Sequence, residues 1–172
     1  MELLAPIKAL IPDWAKDIRL NLDGAIARSS LKPEDAVGAA LAAAYAARSP
    51  VLMDAFKSGL SAGDVHGVLT AAALMGMNNT YYPYTEMAQD EQLKTLPAQL
   101  RMNAYASHGG VEPGRFELFA LAASIVGKCH FCVGSHYQNL KKSGYTLEQL
   151  RDVGRIAAVV NAAAQALTAE GK

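Results

Sequence analysis

The run FELFALAASIV at residues 116–126 is apolar on almost every side of a helix and carries one charge, Glu117. Because a helix without a polar face must be covered on several sides, the run predicts a helix inside a helical core. An unpaired ionised carboxylate is costly there, so we expect Glu117 to be paired or to have a shifted pKa. The alternative is that Glu117 is a first-turn acid that complements the helix dipole near Pro113.

The rest of the chain is also helical in its patterning. Alanine is abundant, β-branched residues are sparse, and apolar positions recur every three or four residues in segments 36–47, 65–77, 117–126 and 153–167. Pro33, Ser49, Ser61 and Thr146 mark helix starts. No useful strand-like alternation competes, so the sequence predicts an all-α helical bundle that forms a single domain over residues 1–172.

An internal sequence repeat divides the chain into two similar halves. KSGLS at 57–61 and KSGYT at 142–146 each combine a glycine suited to ending a helix with a Ser or Thr suited to starting the next. We expect pseudo-repeats at about 30–80 and 113–168, with the redox centre in the second. In the ungapped register Cys129 and Cys132 fall opposite Ala44 and Ala47, which makes the first half scaffold. Between the halves, Tyr81 through Pro97 predicts a connector with a short helix, whose tyrosines anchor it on the core or line a pocket.

Charge and hydropathy exclude several classes of function. The 16 basic and 16 acidic side chains cancel, so nucleic acid is not an expected partner. Glu2, Lys8 and two early prolines are unlike a secretory signal, and no stretch approaches the roughly 18 to 20 apolar residues of a membrane span. We therefore expect a soluble, cytoplasmic protein. In that reducing compartment, two closely spaced cysteines point to redox work or to metal binding.

The C-x-x-C of Cys129 and Cys132 is the main chemical motif. Gly127 is predicted to end the preceding helix, so Cys129 falls near the start of the next one. Spacing by three places both sulfurs on one helical face, where a disulfide can close with little backbone movement. The amides and dipole at the helix start favour the reactive thiolate.

His136 lies one turn beyond Cys132 on the same face, so it is a candidate proton carrier with Glu117 as the partner that sets its tautomer. His130 lies off that face and is expected at most to tune polarity. His66 and His108 lack such neighbours and are interpreted as structural. A different class of function is a metal-binding module, because Glu117, Cys129, Cys132 and His136 are ligand types that zinc accepts. Three of them share one helix, however, and cannot easily surround an ion.

These residues resemble the AhpD-like alkylhydroperoxidase family, within the carboxymuconolactone decarboxylase superfamily. The likeness covers nearly the whole chain and includes PDWAKDIRLNL at 12–22, MGMNN at 75–79 and the Glu-x11-Cys-x2-Cys-x3-His spacing of Glu117, Cys129, Cys132 and His136. It implies a homotrimer and a thiol peroxidase for organic hydroperoxides, active in antioxidant defence. It also implies regeneration of the peroxiredoxin AhpC and electrons from dihydrolipoyl groups on a 2-oxoacid dehydrogenase component, with no bound cofactor or metal.

The resemblance also implies a role for each residue. Cys132 attacks and becomes a sulfenic acid, Cys129 resolves it and supplies a proton, and Glu117 and His136 relay protons. Helix position alone would favour Cys129 as the nucleophile. The chain departs from the family pattern inside the motif, where a family member has His directly before the second cysteine and this chain has Phe131.

Two other enzymatic functions are alternatives to the peroxidase. The protein could act as a thiol-disulfide reductase that passes electrons from lipoyl protein to peroxiredoxin with little peroxidase turnover of its own. The other alternative is a decarboxylase, like other members of the superfamily, but that reaction would give the two cysteines no role.

Overall fold

The computed structural model describes residues 1–107 and 110–172, and its elements are helical throughout. In chain order they are α1 (Leu4–Leu10), a 3₁₀ turn (Asp13–Ala15), α2 (Lys16–Leu22), a π-helical turn (Asp23–Ala27), α3 (Pro33–Ala46), α4 (Pro50–Lys57), α5 (Ala62–Met87), α6 (Glu91–Thr95), α7 (Asn103–Ser107), α8 (Pro113–Gly127), α9 (His130–Lys142) and α10 (Leu147–Ala169). No strand occurs among the described residues. The all-α prediction is confirmed.

Helix α8 lies at the centre of the core, as its apolar run predicts. Every residue from Phe116 to Ser124 is buried, and the helix packs against α3, α5, α9 and α10. Small residues on α3 allow a close approach: Gly38 lies against the ring of Phe119, where a Cβ atom would come within 2.4 Å of Cε1. A helix packed on several sides holds the position of any side chain that it carries toward a neighbour.

Arg115 ties α8 to two of these neighbours. Its Nε donates to Asp35 on α3 and its Nη1 to Asp64 on α5, both at 2.5 Å. Burial opposes the charge of the guanidinium, but the hydrogen bonds to the two carboxylates raise the pKa of Arg115 above its usual value. This charged cluster fixes the register of α8 against α3 and α5.

The helix starts lie where the sequence signals predict them. Pro33 is the first residue of α3, and the hydroxyl of Ser49 accepts from the N–H of Leu52 at the start of α4. Thr146 forms a reciprocal capping box with Gln149 at the start of α10. Each of these signals is local, and the structure agrees with it for that reason.

The prediction of a connector beginning at Tyr81 is wrong. α5 continues through Pro83 to Met87, and the predicted short helix is α6, with Asp90 as its N-cap. A proline inside a helix costs about 3 kcal/mol. The end of α5 stays helical because it packs: the ring of Tyr82 stacks on Phe131 of α9, and Thr85 is buried.

Two helical units, α3–α4–α5 and α8–α9–α10, follow the same order. α3 is followed by Arg48 at φ 57° and the N-cap Ser49, and α8 by Lys128 at φ 56° and the N-cap Cys129. Alignment by these caps places Ser49, rather than Ala44, opposite Cys129. The ungapped register is offset because α9 has 13 residues and α4 has 8. The duplication itself stays a prediction.

Within the described part of the chain, no helix is both long enough and apolar enough to cross a bilayer.

Candidate active site

The two cysteines lie at the junction between α8 and α9. Lys128 adopts a left-handed conformation after α8, the chain reverses, and Cys129 becomes the N-cap of α9. A disulfide joins Cys129 to Cys132, with the two Cα atoms 5.3 Å apart. Cys129 is fully buried, whereas Cys132 keeps 3% of its surface exposed. The spacing therefore produces the pairing that the sequence predicts.

The first turn of α9 directs a backbone amide at one of these sulfurs. The backbone N of Cys132 lies 3.2 Å from Sγ of Cys129 and donates its hydrogen bond to that sulfur. The side chain of Cys129 thus caps the start of α9. Such an amide, together with the helix dipole, stabilises negative charge on a capping sulfur. This amide can stabilise a thiolate that forms at Cys129, whereas the complete burial of the side chain opposes one.

Glu117 and His136 are hydrogen-bonded to each other beside the thiol motif. Nδ1 of His136 lies 2.7 Å from Oε2 of Glu117, and both residues are at least nine-tenths buried. The prediction that Glu117 is paired is confirmed. The dipole alternative is wrong, because α8 has no acidic side chain in its first turn.

Hydrogen bonds keep the Glu117 carboxyl ionised despite its burial. Burial raises the pKa of this group, but donors from His136, Tyr105 and Asn139 outweigh that effect and hold the pKa below its usual value. An ionised carboxylate only accepts hydrogen bonds, so Nδ1 of His136 carries the hydrogen of their contact. Nε2, the other ring nitrogen, is directed toward α5.

Three residues of this cluster were not predicted from the sequence. The hydroxyl of Tyr105, on α7, donates to Oε1 of Glu117, and Nδ2 of Asn139 lies 3.3 Å from Oε2. Sδ of Met75, on α5, lies 3.1 Å from Nε2 of His136. Asn139 follows His136 by three residues on the same helical face, so its spacing was available as a signal. Tyr105 and Met75 reach the site only through tertiary packing.

The other two histidines that the structure describes, His130 and His66, do not join the cluster. His130 has a side chain that is 87% exposed, and its Nδ1 lies 3.8 Å from a carboxylate oxygen of Glu86. His66 is exposed on α5. His108 lies outside the described residues.

Phe131, between the two cysteines, forms part of a cavity of about 470 Å³. Its ring stacks on Tyr82, with centroids 4.3 Å apart and an interplanar angle of 26°. The end of α5, helix α6 and the segment that follows α6 supply the other walls. Phe131 thus places an aromatic ring within the thiol motif and at the wall of this cavity.

Metal ligation receives no support from this arrangement. The sulfurs of Cys129 and Cys132 are bonded to each other. Across residues 1–107 and 110–172, no group of three or more His, Cys, Asp or Glu side chains is arranged to hold a metal ion.

Comparison with known proteins agrees with the geometry. The Carboxymuconolactone decarboxylase family model matches residues 91–171. Alkyl hydroperoxide reductase AhpD of Rhodospirillum centenum is 43% identical over 168 residues, which cover 95% of this chain and 90% of the relative. Proteins of the same name from Hyphomonas neptunium and Coxiella burnetii are 40% identical over 171 residues (97% and 94% covered) and 36% identical over 177 residues (99% and 99% covered).

Proposed function

The chain belongs to the AhpD family of alkyl hydroperoxide reductases, and we propose that it reduces organic hydroperoxides to alcohols with the thiols of Cys129 and Cys132. The observation that carries this proposal is the disulfide at the start of α9, one helical turn from the buried Glu117–His136 pair. Closing a disulfide releases two electrons, which is the number that cleavage of the O–O bond consumes. A neighbouring acid-base pair moves the accompanying protons.

In the first step, the Cys132 thiolate attacks the hydroperoxide. A bond forms between its sulfur and the distal oxygen, the O–O bond breaks, and the alkoxide leaves as the alcohol with a proton from Cys129. Cys132 is left as a sulfenic acid. The amide of Cys132, 3.2 Å from Sγ of Cys129, supports this order because it can stabilise the thiolate that the proton transfer leaves on Cys129.

In the second step, Cys129 closes the disulfide. Its thiolate, beside the amide of Cys132, attacks the Cys132 sulfur, and the hydroxyl group leaves as water with a proton from His136. Glu117 stabilises the imidazolium that supplies this proton and orients the ring. His136 lies one turn from Cys132 on α9, and this spacing places the two side chains on the same face of the helix.

A dithiol donor then restores the enzyme. One thiolate of a dihydrolipoyl group attacks the protein disulfide and forms a mixed disulfide with one cysteine. The second thiol of the donor then attacks this mixed disulfide, which yields the lipoyl disulfide and two protein thiols. We propose the lipoyl-bearing component of a 2-oxoacid dehydrogenase as this donor. The reduced pair also regenerates the peroxiredoxin AhpC by the same exchange.

The proposal includes a compartment and an assembly. A dithiol centre that must be reduced repeatedly fits the reducing cytoplasm. We also propose a homotrimer. Large apolar side chains that remain exposed on this chain, including Trp14, Leu20 and Leu147, are surfaces that neighbouring protomers would cover. Sedimentation at micromolar concentration tests the trimer separately from the chemistry.

The decisive experiment follows peroxide consumption with dihydrolipoamide as donor. The unsubstituted protein should consume tert-butyl hydroperoxide catalytically, and both Cys129→Ser and Cys132→Ser should abolish turnover. A dimedone-type probe should label Cys132 in the Cys129→Ser protein and label nothing in the Cys132→Ser protein. Ser135→Ala, an exposed hydroxyl on the same helix, is the matched control and should keep full activity.

Two results would count against the proposal. Sulfenic acid trapped at Cys129 in a fully active Cys132→Ser protein would reverse the roles of the two thiols. Disulfide exchange with dihydrolipoamide but without peroxide consumption would favour the electron-adaptor function instead.

A further inference from the structure

The cavity beside Phe131 is lined mainly by apolar and aromatic side chains. Tyr81 and Tyr82 come from α5, Leu93 from α6, Leu96 and Ala98 from the segment after α6, and Phe131 from α9. Its volume of about 470 Å³ lies in the range of about 300 to 1,000 Å³ typical of small-molecule sites. Phe131 stays 54% exposed even though one face stacks on Tyr82. The cavity is therefore an open aromatic pocket rather than a filled part of the core.

We propose that this cavity binds the organic group of the hydroperoxide and that Phe131 and Tyr82 determine a preference for aryl and bulky alkyl groups. The inference rests on the proposed peroxidase function, and it adds the substrate class and the residues that select it. Aromatic rings stack with one another and cover apolar surface at little entropic cost, which suits an uncharged hydrocarbon ligand.

The charged side chains that line the cavity favour an uncharged ligand. Of the two charged side chains of the lining, Lys94 has a partner in Glu91, with Nζ 2.6 Å from Oε1, and Glu86 is itself a carboxylate, which repels an anion. A carboxylate or phosphate in the cavity would have to compete with Glu91 for Lys94. An aryl or alkyl group meets the apolar walls without that competition.

Position ties the cavity to the reacting sulfur. Along the contact between α5 and α9, Tyr82 stacks on Phe131 while Met75 meets His136. Cys132 lies between Phe131 and His136 in the sequence of α9. Phe131 is the residue of the thiol motif that lines the cavity, and neither cysteine does so itself. The proposal places the organic group on Phe131 and directs the O–O bond toward the adjacent Cys132.

The test compares two hydroperoxides that differ in their organic group. With dihydrolipoamide as donor, the unsubstituted protein should show a higher kcat/KM for cumene hydroperoxide than for tert-butyl hydroperoxide. Phe131→Ala and Tyr82→Ala should each lower that ratio by about tenfold, mainly through KM, because an aromatic contact is lost. Tyr82→Phe keeps the ring and should keep the preference. Met87→Ala, a more exposed apolar side chain on the same helix outside the cavity lining, is the matched control.

A binding measurement separates the cavity from the chemistry. The alcohol 2-phenyl-2-propanol, which lacks the O–O bond, should inhibit cumene hydroperoxide reduction competitively and more strongly than tert-butanol. Its inhibition constant should rise about tenfold in the two alanine variants. Circular dichroism and sedimentation of each variant verify that fold and assembly are retained.

The outcomes distinguish this inference from the proposed function. Absence of peroxide turnover in the unsubstituted protein would contradict the peroxidase function. Normal turnover with the same substrate ratio in all variants would overturn the cavity assignment alone. Variants that reduce peroxide normally but are reduced slowly by dihydrolipoamide would also overturn it, because the cavity would then hold the donor arm.

Discussion

The hydroxyl of Tyr105 donates a hydrogen bond to Oε1 of Glu117, the carboxylate whose other oxygen holds His136. The ring of Tyr105 packs edge-on against Phe116, with centroids 4.7 Å apart, which positions the hydroxyl over α8. Donors from α7 and α9 thus converge on one buried carboxylate. The contact connects a five-residue helix, far from the thiol motif in sequence, to the proposed proton relay.

Replacement of Tyr105 by Phe should move the acidic limb of the pH–rate profile to higher pH. The Tyr105 hydrogen bond lowers the pKa of Glu117, so its loss raises that pKa. Glu117 must be ionised to hold an imidazolium, and activity should then fall at a higher pH as the solution is acidified. The measurement is kcat/KM for tert-butyl hydroperoxide as a function of pH.

Tyr137→Phe is the control for this change, because Tyr137 directly follows His136 on α9 and successive residues of a helix do not face each other. Its pH profile should match that of the unsubstituted protein. An unchanged profile in Tyr105→Phe would contradict a role for this hydrogen bond in the reaction.

Replacement of Glu117 by Gln should slow peroxide reduction by roughly 10² to 10⁴, the range typical of general acid-base groups. A neutral amide can still hydrogen-bond to His136, but it cannot stabilise the imidazolium or carry a proton. Single-turnover oxidation of the reduced protein by peroxide measures the effect. Glu112→Gln, at the exposed N-cap of α8, should retain the normal rate; an equal loss there would point to a general effect on α8.

Replacement of Gly38 by Ala should destabilise the fold by about 1 to 3 kcal/mol. The new methyl group would come within 2.4 Å of Cε1 of Phe119, which is itself fully buried and cannot move freely. Gly154→Ala, inside α10 with open space around it, should instead stabilise by about 0.5 to 1 kcal/mol. Urea denaturation of both variants measures the difference, and equal stabilities would show that α3 and α8 repack easily.

Replacement of Asp152 by Asn should cost about 2 kcal/mol at neutral pH. Burial raises the pKa of this carboxyl, but hydrogen bonds from Ser30, Arg155 and Arg151 outweigh it and lower the pKa from 3.8 to about 2. A lowered pKa in the folded protein stabilises above pH 3.8 and loses that contribution as the pH falls toward 2. The free energy of unfolding should therefore depend less on pH in the variant over this acidic window.

Asp54→Asn supplies the comparison, because Asp54 is exposed and pairs with Lys57 at 3.1 Å on the surface. Its free energy of unfolding should change by less than about 0.5 kcal/mol. A similar cost at both positions would contradict the contribution assigned to the hydrogen bonds that Asp152 accepts.

Much of the fold and half of the site were predictable because they depend on local spacing. Caps at Ser49 and Thr146 act within one helical turn, and the apolar run around Glu117 requires burial wherever it lies. Likewise, Cys129 and Cys132 are three residues apart, so helix geometry alone brings their sulfurs together. The chemistry of the thiol pair follows from the same short-range geometry.

Packing between distant segments decided the rest. Pro83 is a local signal for ending a helix, yet α5 continues past it because Tyr82 finds Phe131 on α9. Tyr105 and Met75 join the Glu117–His136 pair although no spacing in the sequence relates them to it. Contacts of this kind depend on how whole helices dock, because the sum of many weak packing terms sets which side chains meet.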